Sequence, residues 1–466
     1  MTKAVAAVDL GATSGRVMLG YVGHNELRLV PVSRFPNGPV TVDGALHWNV
    51  TGLFEHAIAG LHVAGRQEPE LVSAAVDSWA VDYALLSGGR MLAEPFHYRD
   101  ARTARGVADV HERVSGAALY ASTGLQHLPF NTVFQLAEDA QAGRLADADS
   151  FLLVPDLLGY WLTGTAVAER TNASTTGLFN VQSGEWDDDL IARVDLPRGI
   201  FPRLIDAGSR LGSLSHDVAA RVGLPNLEIT TVGSHDTASA VVAIPAEGTD
   251  FAYISCGTWS LVGVELDSPV LTEASRAANF TNEGGVDGRV RYLRNVMGLW
   301  ILSETVRQWG ADLHTLLEQA AAYDGPVAIF DPDDERFLAP GDMPARISAW
   351  CEENCVAAPA SLAALVRSIL ESLAEAYART LDVAATLSGA RILTVHLVGG
   401  GSQNALLCQL TADRTGLPVV AGPVEATAIG NVLIQARAHG IVDGDLETMR
   451  ALVSRSVPQT RYLPRA

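Results

Sequence analysis

A glycine- and hydroxyl-rich segment near the start of the chain carries the first residues that could do chemistry. Asp9 lies at the end of an apolar run, and Gly11 to Arg16 (GATSGR) follow before apolar residues resume at Val17. This composition predicts a β-hairpin whose tip presents backbone N–H groups and hydroxyls. Such donors bind phosphate oxygens. Asp9 could hold a hydrated Mg²⁺, which prefers one or two carboxylates together with phosphate oxygens, and Arg16 supplies a local positive charge.

The same pattern returns past the middle of the chain. In the segment FAYISCGTWSLVGVEL, residues 251–266, Cys256 to Thr258 take the place that Asp9 to Thr13 have in the first copy. A third glycine turn, VHLVGGGSQNALLCQL from Val395, predicts a strand that leads into a helix, with N-terminal donors beside the glycines. Each turn alone could merely reverse the chain. Together they favour a polyphosphate site, and the repeated hairpin indicates two duplicated domains.

The elements that must position these turns alternate between strand and helix, which predicts an α/β fold. Residues 71–86 read as a buried strand, a turn and a further strand, and helices are expected over 131–142 and 151–162. The segment EATAIGN and the residues after it predict a turn followed by a helix with an apolar face.

Composition excludes several other chemistries. Lys3 is the only lysine, so a P-loop, a protein-kinase strand lysine and a Schiff base all lack their essential residue. The net charge of −20 argues against binding to nucleic acid or an anionic membrane. Four cysteines make no disulfide framework, and no apolar run approaches the roughly 18 residues of a membrane span. We therefore expect a soluble, cytoplasmic protein.

Four motifs, in order, resemble those of the actin/Hsp70/sugar-kinase superfamily. VDLGATSGR, ISCGTWSLVG, LVGGGSQN and EATAIGN are similar to its phosphate 1, phosphate 2, adenosine and second connecting motifs. The resemblance is closest to the FGGY carbohydrate kinases. Within them, DSWAVDYALL, YRDART, LPFNTVFQLAE, SHDTASAV, ANFTNEGG and NVMGLW resemble the members that act on L-rhamnulose. The resemblance implies two RNase H-like domains related by duplication, residues 1–241 and 242–466, with a nucleotide cleft between them.

Asp236 is the candidate catalytic base. It follows the apolar run of residues 229–232 and precedes small, helix-starting residues, so its carboxylate is expected at a strand end and a helix N-terminus. From the residues alone, Asp236 could instead be a helix N-cap. The Asp of S-H-D-T is the proton acceptor in the kinases that this chain resembles, which implies the catalytic role.

The resemblance also implies the remaining site residues, with Mg²⁺ at Asp9. Those expected to contact the sugar are Ala80, His235, Asp236, Thr237 and Asn295, and those expected to line ATP are Ala12, Thr13, Ser14, Gly15, Arg16, Thr258, Ser303 and Gly401. On their own, His235 could be a core histidine and Asn295 a helix cap.

Two positions depart from the family pattern. Ala80 stands where a glycine contacts the substrate, and its methyl group would narrow the sugar pocket. Ser303 stands where a glutamine contacts the nucleotide, and the shorter side chain would weaken that contact. Neither change concerns Asp236.

The activity implied is transfer of the ATP γ-phosphate to the 1-hydroxyl of L-rhamnulose. The open alternatives are a kinase for another ketose, such as L-fuculose or a pentulose, an actin- or Hsp70-like switch ATPase, and an inactive sugar sensor. Expected partners are the sugar and ATP, without nucleic acid or membrane, in a monomer or small homo-oligomer.

Overall fold

The computed structural model describes residues 2–310 and 312–465. Its strands are β1 Lys3–Leu10, β2 Ser14–Gly23, β3 Glu26–Pro36, β4 Val40–Val42, β5 Ala45–His47, β6 Ser73–Ser78, β7 Tyr83–Ser87, β8 Arg90–Met91, β9 Ser150–Leu153, β10 Ala168–Glu169, β11 Phe179–Asn180, β12 Glu185–Trp186, β13 Leu204–Ile205, β14 Arg210–Ser213, β15 Glu228–Thr230, β16 Phe251–Cys256, β17 Trp259–Leu266, β18 Thr281–Gly284, β19 Val290–Met297, β20 Thr394–Val398, β21 Val419–Ala421 and β22 Thr460–Tyr462. Its α-helices are α1 Val50–Gln67, α2 Ala104–Arg113, α3 Gly116–Thr123, α4 Thr132–Gln141, α5 Val154–Thr163, α6 Arg170–Ala173, α7 Asp188–Arg193, α8 His216–Val222, α9 Asp236–Val242, α10 Glu273–Ala277, α11 Trp300–Trp309, α12 Leu313–Ala321, α13 Met343–Glu353, α14 Leu362–Ser388, α15 Ala405–Thr415, α16 Ala426–Ala438 and α17 Leu446–Ser456.

The chain forms two compact units. Unit 1 contains the chain up to Glu247, Leu266–Tyr292 and Ala426–Val457. Unit 2 contains Gly248–Glu265, Leu293–Glu425 and the chain from Pro458. Each unit is therefore assembled from separated segments, and the division of the chain between residues 241 and 242 stays a prediction.

Unit 1 is built on a six-stranded sheet of order β14-β15-β6-β1-β2-β3. β1 runs antiparallel to β2 and parallel to β6, and β6 runs parallel to β15. Helices cover both faces: Gly60 of α1 lies against Val17, and Gly20 lies against Val432 of α16. Val17 and Gly20 point to opposite faces of β2 because side chains alternate along a strand. Burial on both faces explains the continuous apolar run of β1.

Unit 2 contains six strands of the second sheet, in the order β19-β17-β16-β20-β21-β22. β16 runs antiparallel to β17 and parallel to β20, and β20 runs parallel to β21. These relations repeat those of β1 with β2 and β6, and of β6 with β15. The repeated order is what a duplicated α/β domain produces, and the two-domain fold predicted from the sequence is confirmed.

The helix expected over residues 151–162 is partly wrong. Residues Ser150–Leu153 form β9, which pairs with β7 in a three-stranded sheet, and α5 begins only at Val154. Pro155 lies in the first turn of α5. Backbone N–H groups in this turn have no intrahelical acceptor, so proline costs the helix no hydrogen bond there. The apolar run alone does not distinguish a buried strand from a helix; the hydrogen-bonding partner on β7 decides it.

The longest helix is α14, with 27 residues. It packs against α12 and α15 in unit 2 and buries apolar residues along its length. In residues 2–310 and 312–465, neither α14 nor another helix combines the length and apolar character required to cross a membrane.

Candidate active site

The hairpin of β1 and β2 forms as predicted, with Gly11 to Thr13 at its tip. The tip is closed by a hydrogen bond from Gly11 N to Ser14 O of 3.0 Å. The adjoining loop supports it, because Asn37 Nδ2 donates to Gly11 O over 2.8 Å. Gly15 serves packing: a Cβ there would lie 2.2 Å from the Phe35 ring. The hairpin is therefore closely packed next to its tip, and the tip itself has partly exposed residues that can contact a ligand.

Asp9 and Arg16 face each other across this hairpin. Arg16 donates to Asp9 Oδ2 from both Nε, at 2.9 Å, and Nη2, at 2.8 Å. Asp9 is 2% exposed, whereas the Arg16 side chain is 26% exposed. The buried carboxylate thus holds a guanidinium whose outer part can reach an anion, so Asp9 orients a positive charge as well as supplying a negative one.

Asp77 is a member of this cluster that sequence reasoning missed. The parallel register of β1 and β6 places Asp77 directly beside Asp9. Burial, the carboxylate of Asp9 and then that of Asp236 raise the pKa of Asp77 well above its ordinary value, against a hydrogen bond from Asn431. Asn431 Nδ2 donates to Asp77 Oδ2 over 2.5 Å, and Asp77 Oδ1 is buried without a hydrogen bond. The signal was an acidic residue inside an apolar strand.

Asp236 is the first residue of α9, and its side chain is 30% exposed. The N-cap position belongs to His235, and no side chain caps this helix. Thr237 Oγ1 donates to Asp236 Oδ1 over 3.0 Å. The carboxylate is therefore available at a helix N-terminus instead of being used to cap it.

His235, the residue before it, lies in a buried charged cluster. Its Nε2 lies 3.5 Å from Asp236 Oδ1, and its Nδ1 lies 3.0 Å from Arg291 Nη2 and 3.3 Å from Glu283 Oε2. Glu283 and Arg291 are joined by an ion pair of 3.1 Å. Sequence reasoning missed both, because an Arg and a Glu in ordinary strand sequence give no sign that they will be buried.

Glu169 holds the segment that leads to His235 and was also missed. Its Oε2 accepts hydrogen bonds from Ser234 N and Ser234 Oγ, both at 3.0 Å. Its Oε1 accepts from Thr171 N at 3.0 Å. Burial raises the pKa of this carboxyl group. These contacts fix the backbone just before the candidate base.

Ala80 lies beside this segment because the end of β6 pairs with it. Ser78 forms a parallel bridge with His235, and Ser78 N donates to Ser234 O over 2.9 Å. Val81, which follows Ala80, has a φ of 68°, and this is rare for a β-branched residue. Thr132 Oγ1 donates to Val81 O over 2.7 Å and helps to hold this conformation. Strain of this kind is found at functional sites.

Asp82 fixes the segment from Trp79 to Asp82, which contains Ala80 and is called the wall below. Its Oδ2 accepts from Trp48 Nε1 at 2.6 Å and Trp79 Nε1 at 3.1 Å, and its Oδ1 accepts from Gln135 Nε2 at 2.9 Å. Burial raises the pKa of Asp82 to about 6, against these hydrogen bonds. The fixed indole rings are buried and give this part of unit 1 a rigid apolar packing.

The remaining residues that were predicted to line ATP lie in unit 2. Thr258 lies in the two-residue turn between β16 and β17, as predicted, and Gly257 N donates to Trp259 O over 2.8 Å. Gly401 lies against β16: a Cβ there would come within 2.2 Å of Cys256 Sγ. The predicted phosphate 2 and adenosine segments are therefore in direct contact within this unit.

Ser303 and Asn295 are also in unit 2. The start of α11 lies on the same turn, since Leu299 N donates to Gly257 O over 3.0 Å and Trp300 N to Thr258 O over 3.2 Å. Ser303 is exposed on the first turn of α11. Asn295 lies within β19 and does not cap α11, whose N-cap is Leu299.

Comparison with known protein families identifies the chain as a carbohydrate kinase. Residues 45–243 match the N-terminal domain of the FGGY family of carbohydrate kinases, and residues 252–439 match its C-terminal domain. The chain belongs to this family, and it is an enzyme of the sugar-kinase class. A xylulose kinase from Lactobacillus acidophilus has the same fold, with a TM-score of 0.81 at 15% identity over 99% of this chain and 94% of that chain. Plasmodium falciparum glycerol kinase with ADP gives a TM-score of 0.79 at 14% identity, over 100% and 94%.

Full-length relatives narrow the class further. The rhamnulokinase of Bacteroides thetaiotaomicron is 41% identical over 98% of this chain and 95% of its own length. Those of Pectobacterium carotovorum and Enterococcus faecalis are 40% and 39% identical, over 100% and 98% of this chain and 94% and 93% of their own lengths.

Proposed function

We propose that the protein transfers the γ-phosphate of MgATP to the 1-hydroxyl of L-rhamnulose, giving L-rhamnulose 1-phosphate and ADP. The choice of substrate rests on one observation, the similarity to rhamnulokinases, at about 40% identity, along the whole chain. The geometry of unit 1 supports the chemistry, because it places a partly exposed carboxylate, Asp236, in the same unit as the phosphate-type hairpin.

Asp236 is the general base in this proposal. It accepts the proton of the 1-hydroxyl as that oxygen attacks the γ-phosphorus and the bond to the ADP oxygen breaks. In unit 1 the hairpin of Gly11 to Arg16 provides donors for phosphate oxygens. In unit 2 we assign the turn at Thr258 to phosphate binding and Gly401 to adenosine binding. The wall formed by Trp79 to Asp82 orients the sugar, with Ala80 next to it.

The donor set fits a magnesium ion that arrives with the nucleotide. Among the described residues, no three or more His, Cys, Asp or Glu side chains are grouped as a metal site of their own. Mg²⁺ bound to phosphates needs only one or two carboxylates, and Asp9, with the unbonded Oδ1 of Asp77 beside it, offers them. Bound there, the ion would neutralise charge on the phosphate oxygens.

Release of ADP from MgATP tests the proposal across L-rhamnulose, L-fuculose, D-xylulose, L-ribulose, glycerol and no sugar. We expect strong release with L-rhamnulose and little without sugar. A maximum with another sugar would contradict the substrate but not the kinase. Release at the same rate with every sugar and with none would contradict the kinase activity and favour a switch ATPase.

The Ala80→Gly variant is expected to widen the sugar preference. Removal of one methyl group from the pocket changes discrimination by about 1–3 kcal/mol, which is roughly 10- to 200-fold in kcat/KM between competing sugars. The same sugar panel measures it. Ala142→Gly, at the end of α4, is the control for the substitution itself. If the order of the sugars and the ratios of their kcat/KM values were unchanged, Ala80 would not line the sugar pocket.

Asp9→Asn is expected to raise the Mg²⁺ concentration needed for half-maximal activity about tenfold. This corresponds to a loss of about 1.4 kcal/mol of Mg²⁺ binding free energy. The amide keeps the size of the side chain but removes its charge. The measurement is ADP release at saturating ATP and sugar as Mg²⁺ is titrated. Asp147→Asn, at an exposed position in the same unit, is the control. A titration curve equal to that of the wild type would argue against Asp9 as the metal-facing carboxylate.

A further inference from the structure

The charged cluster behind the candidate base is almost completely buried. The side chains of Arg291, Glu283 and His235 are 0%, 6% and 7% exposed. Arg291 Nε donates to Gly284 O over 2.9 Å, which fixes the plane of the guanidinium. Replacing a buried ion pair by apolar residues often costs a protein no stability, so stability alone does not account for these charges. Their position against His235 points to another role.

The contact between Arg291 and His235 determines which ring nitrogen carries the proton. A guanidinium can only donate, and Arg291 Nη2 lies 3.0 Å from His235 Nδ1. Nδ1 must therefore accept, which leaves the proton of the neutral ring on Nε2. Glu283 Oε2 also lies near Nδ1, at 3.3 Å, but a proton on Nδ1 would point into the N–H groups of Arg291. Glu283 Oε2 forms an ion pair with Arg291 Nη1 at 3.1 Å, although the contact lacks hydrogen-bond geometry.

The Nε2 side of the ring faces the candidate base. His235 Nε2 lies 3.5 Å from Asp236 Oδ1, and such contacts commonly shorten when substrate binds. Thr237 Oγ1 donates to the same oxygen over 3.0 Å. Once the His235 contact shortens, both donors lie on Oδ1, and Oδ2 is the oxygen oriented to accept a proton from a substrate hydroxyl.

We propose that Arg291, held by Glu283, is a positioning residue that fixes His235 as the Nε2–H tautomer and so orients the carboxylate of Asp236. No proton moves along the cluster: Nε2–H donates to Oδ1 once that contact shortens, and Oδ2 takes the proton from the sugar. The proposal rests on the proposed function in that Asp236 is the base, but the tautomer itself can be measured without any turnover.

Nitrogen-15 NMR of the full-length protein, labelled at histidine, tests the tautomer directly, because protonated and unprotonated ring nitrogens have well-separated shifts. The signals of His235 are assigned as those that disappear in His235→Gln. We expect an unprotonated Nδ1 and a protonated Nε2 in the wild type near neutral pH. A protonated Nδ1 would overturn the proposal, whatever the enzyme phosphorylates.

The double variant Glu283→Leu with Arg291→Met removes both buried charges at similar volume, so that neither is left unpaired. We expect His235 to show a mixture of tautomers. We also expect kcat to fall about 10- to 100-fold, part of the 10²–10⁴-fold that a positioned base contributes, while KM for ATP stays within about twofold. Asp109→Asn with Arg113→Gln, a partly exposed ion pair on α2, is the matched control.

Two results would contradict this role. One is a double variant that keeps the wild-type tautomer; the other is one that loses it and keeps the wild-type kcat. A wild-type enzyme that shows the expected tautomer but no sugar-dependent release of ADP would contradict the proposed function alone.

Discussion

Asp236→Asn is expected to lower kcat about 10²–10⁴-fold, the usual contribution of a positioned general base. The amide has the size of the carboxylate and can keep the contact with Thr237 Oγ1 through its oxygen, but it cannot accept the proton of a sugar hydroxyl. KM for ATP should change little, because the loss concerns the transition state. Steady-state release of ADP with L-rhamnulose measures both constants.

The chain contains a closely matched control for this substitution. Asp217 also follows a histidine and lies in the first turn of a seven-residue helix, α8, where it is exposed. Asp217→Asn should retain the wild-type kcat. If Asp236→Asn turned over at a rate near that of Asp217→Asn, Asp236 would not be the base.

Gly430→Ala is expected to reduce the free energy of unfolding by about 3 kcal/mol, the upper part of the usual range for overpacking. A Cβ at this position of α16 would lie 1.8 Å from Ser239 O of α9, and a backbone oxygen cannot move aside cheaply. Because α9 carries Asp236 at its first position, the displacement should also lower kcat. Urea unfolding followed by circular dichroism, with kcat measured in parallel, checks both effects.

Gly116→Ala separates this clash from the general effect of alanine in a helix. Gly116 begins α3, and the nearest atoms to a Cβ there would be 3.9 Å away. Alanine is the better helix former by as much as about 1 kcal/mol, so this variant should be as stable as the wild type or slightly more so. Equal stability of the two variants would show that α16 can move away from α9.

Local sequence patterns predicted the turns well. The hairpin tips at Gly11 and Gly257 and the glycine turn before α15 all form where they were expected. Each depends on residues within a few positions of one another: apolar runs on either side, and small or hydroxyl residues between them. α4 was likewise expected over 131–142 and is observed at Thr132–Gln141.

Partners that lie far apart in the chain could not be predicted in this way. The register of β1 with β6 places Asp77 beside Asp9, and the packing of α16 brings Asn431 to the same carboxylate. β9 was expected to be helical because its hydrogen-bonding partner, β7, lies more than sixty residues earlier in the chain. An apolar run shows that a segment is buried but not what it is buried against.

The sequence by itself determined the α/β class, the phosphate-type hairpins and the place of Asp236 at the start of a helix. Tertiary structure alone decided that Glu283 and Arg291 surround His235, that Glu169 holds Ser234, and that α16 approaches α9 closely enough to require a glycine. The physical reason is the range of the interactions. Turn and helix-start preferences arise among neighbouring residues, whereas a buried polar or charged group needs partners, and His235 and Glu169 each have partners more than fifty residues away in the chain.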